Sequence, residues 1–414
     1  MRGDDVRRRE SGRRAGAGGR RVRRFRPGLG FGNEHEMNPS LMETDSRLRV
    51  AFFVKRFWPD VGGVEKYVFE LAQALLELGH CVHVIAGDPE GTRPATESHE
   101  GIEILRYPSR RSTLRAAWAL RRATPVLHRA DVIHVSDVEM LERYERFLAR
   151  RVGAKPVFLT RHGMSLRDPV TVEELRRHER ARRCVAGMLD DGTFIQRRYG
   201  ATPDAVPDPG LRPMADELST SPEPQAARAV FVGRLEPDTG VDIYLDGLQA
   251  LRERHGIHLP LTVYADGSRR DELRRRAETF DLDVRWEAPR ADAQDRLCDG
   301  TLAFVSGRMS IFEAMARRRC VVAAYMDPLK RDYVCGEWFS PLIGRARDGA
   351  EVAEHVAELL RDPRLRRARA EAAFQAVRRL NWGATAREYV RVWRAGLARA
   401  AVTSSRPALA WGSP

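Results

Sequence analysis

Short, nearly continuous apolar runs alternate along this chain with stretches whose apolar positions recur every three or four residues. The first run, Leu48-Arg49-Val50-Ala51-Phe52-Phe53-Val54, has the composition of a strand covered on both faces. After Trp58-Pro59-Asp60-Val61-Gly62-Gly63, apolar residues fall at Val64, Tyr67, Val68, Leu71, Leu75 and Leu76, one face of a helix. Gly79-His80 ends it, and Cys81-Val82-His83-Val84-Ile85-Ala86 follows as the next strand. Such a unit is a parallel βαβ, which places helices on both faces of a sheet. Further strands are predicted at 102–107, 132–135, 156–160 and 184–188.

Residues 206–227 interrupt this alternation with proline, acid and serine, from Val206-Pro207-Asp208-Pro209-Gly210 to Ser221-Pro222-Glu223-Pro224. That composition predicts a linker, set at 211–227. A second series follows: the strand Ala229-Val230-Phe231-Val232-Gly233, a helix over 241–255 and the strand Leu261-Thr262-Val263-Tyr264-Ala265. A helix near 269–279 and the strands Leu302-Ala303-Phe304-Val305 and Cys320-Val321-Val322-Ala323-Ala324 continue it. The fold class is therefore α/β, with two Rossmann-like domains at 47–210 and 228–385 and a cleft at their join. Residues 1–46 lack apolar periodicity and carry arginine clusters, so they are expected to be a disordered basic tail. An over-extended gene start, with translation from Met37 or Met42, is the preferred account of it over a nucleic-acid-binding arm. Residues 401–414 are expected to be a flexible tail.

Composition narrows the function classes. The chain has 414 residues, 43% hydrophobic and 31% charged, enough for two cored domains. No apolar run approaches the roughly 20 residues that span a bilayer, and no secretory signal is visible, so a cytoplasmic location is expected. The five cysteines are scattered and never form a C-x-x-C, which argues against a disulfide framework or a zinc knuckle. The net charge is +13; residues 1–41 hold eleven arginines against five acids, a balance of +6, leaving +7 for the rest. A basic surface favours anionic partners such as nucleotides or membrane headgroups. Nucleic acid is disfavoured, because the folded part holds no recognised binding module.

Three segments carry candidate chemistry. Arg308-Met309-Ser310-Ile311-Phe312-Glu313-Ala314-Met315-Ala316 follows a buried strand and reads as a helix with a carboxylate, Glu313, in its first turn. Ligands sit beyond the carboxyl ends of strands in such sheets, where helix N-termini bind anions. A glutamate there suits a hydroxyl-rich group such as a ribose. Gly62-Gly63, between strand and helix, lets backbone approach a ligand, although neither G-x-G-x-x-G nor GK[ST] is present. Arg110, Arg111, Arg115, Arg121 and Arg122 flank Leu114, Trp118 and Leu120 on a predicted helix. That pattern fits either a helix resting on an anionic membrane or a surface helix with snorkelling arginines.

The order of these motifs resembles the family 4 retaining glycosyltransferases of GT-B fold. The resemblance rests on Val61-Gly62-Gly63-Val64-Glu65-Lys66-Tyr67-Val68, Leu78-Gly79-His80, Thr160-Arg161-His162-Gly163, Phe231-Val232-Gly233-Arg234-Leu235-Glu236, Glu313-Ala314-Met315-Ala316 and Asn381-Trp382. It covers about 48–398 and implies a nucleoside-diphosphate sugar donor, an acceptor hydroxyl on a glycan or lipid, retention of configuration and no metal cofactor. It also implies a helix at 386–400 packing back on the first domain. Arg234 and the Gly62-Gly63 loop would grip the diphosphate, Ser310 and Glu313 the nucleotide, and His162 the transferred sugar.

Two positions depart from that pattern. The lysine expected five residues after the arginine is Thr239, and the glutamate expected eight before Glu313 is Val305. Arg308, Lys330 or Arg269 could replace the cation. These losses motivate an alternative: a weak or inactive homologue acting as a nucleotide-binding partner.

Overall fold

The computed structural model describes residues 47–403 except 61, 111–112, 154, 164–167, 214–221 and 291, and these belong to one compact unit. The expectations for 1–46, for 404–414 and for the middle of the linker fall outside the described residues.

The first half is a seven-stranded sheet. Its strands are β1 (Arg49–Val54), β2 (Cys81–Asp88), β3 (Thr96–His99), β4 (Ile102–Pro108), β5 (Val132–Ser136), β6 (Val157–Arg161) and β7 (Gly187–Asp190). They lie in the order β3-β4-β2-β1-β5-β6-β7, all parallel except β3, which runs against β4. β1 is central, pairing Phe52 with Val84 on one side and His134 on the other. Its alternate residues enter two cores, Val50, Phe52 and Val54 on one face and Ala51 and Phe53 on the other. This is why the run shows no polar alternation.

The second half has six parallel strands: β8 (Ala229–Arg234), β9 (Leu261–Asp266), β10 (Val284–Glu287), β11 (Leu302–Phe304), β12 (Cys320–Ala324) and β13 (Gly344–Ala346). Their order is β10-β9-β8-β11-β12-β13. The Val241–His255 helix covers one face, packing Tyr244 against Phe304 at a ring separation of 4.7 Å.

The last helix, Trp382–Thr403, returns to the first half. Trp382, Ala386, Tyr389 and Trp393 enter the core with Phe52, Leu71 and Leu75. Two polar links fix its register: Trp393 Nε1 donates to His134 Nδ1 at 3.0 Å, and the Tyr389 hydroxyl meets Thr160 Oγ1 at 3.0 Å. A Cβ on Gly396 would lie 2.5 Å from the Phe158 ring, so glycine lets this helix close on β6. The helix also takes in residues 401–403 of the expected tail.

The strand expected at 184–188 begins later and runs further: Cys184 ends the Val172–Cys184 helix, and β7 spans Gly187–Asp190.

Candidate active site

The carboxyl ends of β8 and β11 and the two turns after them build the second half's side of the site. Arg234 ends β8 with a half-exposed guanidinium, and its Nη2 donates to Asp238 Oδ2 at 2.8 Å. The turn closes through Gly240, whose φ of +73° is the left-handed conformation glycine adopts freely. Thr239 contributes no charge here. Its hydroxyl lies 2.8 Å from the Arg234 carbonyl and 2.7 Å from that of Glu236, fastening the turn. Ser306 Oγ in turn donates to the Thr239 carbonyl at 3.1 Å. Val305 is fully buried among Val230, Ala303 and Ile311, so this position is core and presents no polar group to the site.

The helix after β11 runs Arg308–Ala316 and has no acid in its first turn. Glu313 therefore lies one turn later than its expected place, and no helix carboxylate competes for an anion at the N-terminus. The first N–H, from Arg308, donates to the Tyr333 hydroxyl at 2.6 Å. Ser310 is half-buried in this first turn, and its hydroxyl has no hydrogen-bond partner among the described residues.

The first half faces this surface with the Gly63–Glu77 helix and the end of β6. Lys66 reaches across, its Nζ 2.5 Å from Glu313 Oε1 and 3.1 Å from Gln294 Oε1. The carboxylate expected to meet a ribose is thus held by a lysine of the opposite half. Gly62 has an extended backbone, and the carboxylate of Glu65 folds over it: a Cβ there would sit 2.1 Å from Glu65 Oε2. The turn expected to welcome a phosphate carries an acid of its own. Burial pushes the Glu65 carboxyl up, against the pull of Arg56 and Arg234.

His162 sits just beyond β6, buried, with its backbone N–H donating to Asp137 Oδ1 at 3.1 Å and Nδ1 3.8 Å from Asp191 Oδ2. Burial alone would lower its imidazole, but Asp191, Asp137 and Glu65 outweigh that and leave it above its ordinary value. Asp137 takes a left-handed φ of +77°, an unusual conformation for a non-glycine residue and one that aims its carboxylate at the His162 backbone. Glu65 feels both Arg234 and His162, so the two sides share one electrostatic site.

Residues 61–206 match the profile of Glycosyltransferase Family 4, and residues 226–362 that of Glycosyl transferases group 1. A phosphatidyl-myo-inositol mannosyltransferase of Mycobacterium leprae is 28% identical over 368 residues, spanning 80% of this chain and 92% of that protein. The chain belongs to the family 4 glycosyltransferases. A GDP-mannose-dependent alpha-mannosyltransferase of Mycolicibacterium smegmatis is 29% identical over 253 residues, 55% of this chain and 65% of that one. The crystal structure of Anabaena HepE with UDP and glucose has the same GT-B fold. Its TM-score is 0.63 at 15% identity, covering 84% of this chain and 100% of the other.

Within this glycosyltransferase the cations considered as substitutes at Thr239 have different fates. Arg308 is buried, with Nη2 2.9 Å from Glu337 and 3.1 Å from Asp208, and it also donates to the Asp191 carbonyl. It clamps the halves together. Arg269 is bound to Glu272 at 2.6 Å and Asp242 at 3.5 Å. Lys330 is buried beside the site without such a partner. Arg161, between Thr160 and His162, is also structural: it grips Asp190 with two bonds of 2.7 Å and the carbonyls of Gly200 and Ala201. Burial holds Asp190 up at about 6 despite that pairing.

Asp137 and Asp191 belong to no motif in the sequence; their one signal is an acid immediately after the apolar runs of β5 and β7. On the basic helix, Thr113–Leu120, Trp118 is 62% exposed and the Arg122 guanidinium lies 5.4 Å from its ring, whereas Leu120 is buried. Arg111 and the side chains of Leu114 and Arg115 lie outside the described residues. Among the described residues, no helix is long and apolar enough to cross a membrane.

Proposed function

We propose that this glycosyltransferase moves a sugar from a nucleoside-diphosphate donor to a hydroxyl of a lipid or glycan acceptor in envelope synthesis, with retention of configuration. GDP-mannose is the first donor to test and a phosphatidylinositol-type lipid the first acceptor, because the two mannosyltransferase relatives carry those names. The observation that carries this reading is the convergence of Arg234, the Ser310 hydroxyl and Glu313 opposite Gly62 and His162, with Lys66 spanning the gap.

In the proposed mechanism Arg234 and the N-terminus of the Arg308–Ala316 helix stabilise the charge that grows on the departing diphosphate. Chemistry of this kind asks for no metal ion. Ser310 donates to the nucleotide, Glu313 accepts the ribose hydroxyls after Lys66 lets go, and His162 borders the sugar with its charge set by Asp191 and Asp137. The Gly62-Gly63 turn approaches the same phosphates once Glu65 has turned aside. Trp118, Arg121 and Arg122 form an amphipathic edge that fits peripheral contact with an anionic inner membrane face in the cytoplasm.

A donor screen tests this reading by following GDP or UDP release from a panel of nucleotide sugars, with Arg234→Ala and Glu313→Ala as controls. Turnover lost in both variants supports it, and NMR of the product reads the configuration. Nucleotide binding with no turnover for any donor would favour a binding subunit instead, as the buried Val305 suggests. Sedimentation with phosphatidylinositol vesicles, unchanged in Trp118→Ala, would remove the membrane contact.

A further inference from the structure

The turn from Arg234 to Gly240 brings one basic side chain, Arg234, to its anion-facing side, because Thr239 is tied to two carbonyls. A diphosphate brings more negative charge than one guanidinium balances. The question is where the second cation comes from.

Lys330 lies on the Pro328–Cys335 helix, a different element, and is 2% exposed. Its ammonium stands 4.8 Å from the Tyr333 ring centroid and has no hydrogen bond or ion pair among the described residues. Tyr333 is the residue whose hydroxyl receives the first N–H of the Arg308–Ala316 helix, and its ring borders Gly163 of the opposite half, 3.3 Å from where a Cβ would be. The ammonium also feels the charges of Asp238, Asp327 and Arg234. Through Tyr333, Lys330 thus neighbours the helix N-terminus and the end of the His162 turn, within the electrostatic reach of Arg234.

A buried ammonium with three unused N–H groups is unfavourable, and such a group normally finds a partner. The two nearby acids already have partners: Asp238 accepts from Arg234 at 2.8 Å, and Asp327 accepts the Lys330 backbone N–H at 2.6 Å. Neither bonds the ammonium. We propose that Lys330 is the second diphosphate cation of this glycosyltransferase, donating to phosphate oxygens opposite Arg234 in place of the lysine missing at Thr239. This rests on the reading of the Arg234 side as the nucleotide site.

Burial pushes the Lys330 ammonium down to about 8, with Asp238 and Asp327 offsetting part of the loss. Phosphate oxygens would raise it again, so a diphosphate should bind with uptake of a proton near pH 8.

The test is calorimetry of GDP, UDP, guanosine and uridine against the whole protein, Lys330→Met and Arg234→Ala, between pH 6.5 and 9.5 in buffers of different ionisation enthalpy. Losing a charge-assisted contact should weaken diphosphate binding about 10- to 100-fold in Lys330→Met, leave nucleoside binding unchanged and abolish proton uptake near pH 8. The ligand-free Lys330→Met protein should melt at or above the wild-type temperature, because an unpaired buried charge has been removed. A lower melting temperature with an unchanged preference for diphosphate over nucleoside would make Lys330 a structural counter-ion and overturn the proposal. If Arg234→Ala weakens binding and Lys330→Met does not, the proposal fails while the site stands. If the wild type binds neither GDP nor UDP, both fall.

Discussion

Lys66 and Glu313 are 247 residues apart in sequence and 2.5 Å apart in space, so their pairing was invisible to motif reading. Both are partly exposed, and such pairs are worth ~0–1 kcal/mol. Replacing Lys66 with alanine should therefore leave stability nearly unchanged and, by freeing Glu313, tighten GDP or UDP binding up to about fivefold. Weaker binding in that variant would mean that Lys66 itself contacts the nucleotide. His162 carries a pH signature. Its folded value lies above the ordinary one, so its stabilisation is present below about pH 6.5 and is lost as pH rises through the folded value. Melting temperatures of wild type and His162→Gln should differ most in acid and converge in alkali; a constant difference would assign its role to packing alone. Arg234 and His162 are marked in the sequence because each lies at a strand end, and Gly62-Gly63 because it opens a helix. Glu313 is marked as a residue but not by turn, because the helix begins at Arg308 behind Gly307, which offers no side-chain cap to mark the start.

Among elements, the Val241–His255 helix was read to its last residue, since its apolar period stops at Gly256, a left-handed C-cap. β3, β10 and β13 carry little apolar pattern in the sequence; all three are short edge strands. The 184–188 stretch is ambiguous because a half-buried helix end at Cys184 is followed within three residues by a buried strand starting at Gly187. The Trp382–Thr403 helix makes two measurable statements. Trp393→Ala removes a fully buried indole and should cost about 3–5 kcal/mol in denaturant unfolding. Beneath it, burial holds the His134 imidazole down at about 3, so the folded state resists a proton that the unfolded chain takes up near 6.5. Stability should fall as pH drops from about 6.5 toward 3, with Trp393 fluorescence changing in step. A flat stability profile across that window would refute this.

At the scale of the molecule, the two halves are fastened by buried charge. Glu337 accepts from Arg308 at 2.9 Å, the Thr193 hydroxyl at 2.8 Å and the Phe194 N–H at 2.9 Å, so its carboxylate joins two other chain segments. Glu337→Ala leaves Arg308 with Asp208 and Asp191 but removes its closest carboxylate. The expected loss is about 3 kcal/mol, the low end for breaking a buried pair. Small-angle scattering should then report a wider spread of arrangements between the halves; an unchanged scattering curve would show that other contacts suffice.

The return of the last helix has a consequence for synthesis. The first half's sheet is complete at Asp190, yet Tyr389 and Trp393 of its core are made some two hundred residues later. On the ribosome that sheet waits with one apolar face only partly covered, by the Gly63–Glu77 helix, until the last helix is made. A fragment spanning 47–210 should accordingly expose that face and bind a hydrophobic dye, and adding a 382–403 peptide in trans should quench the signal. Vectorial synthesis thus builds the second half first as a finished object, although it comes second in the gene.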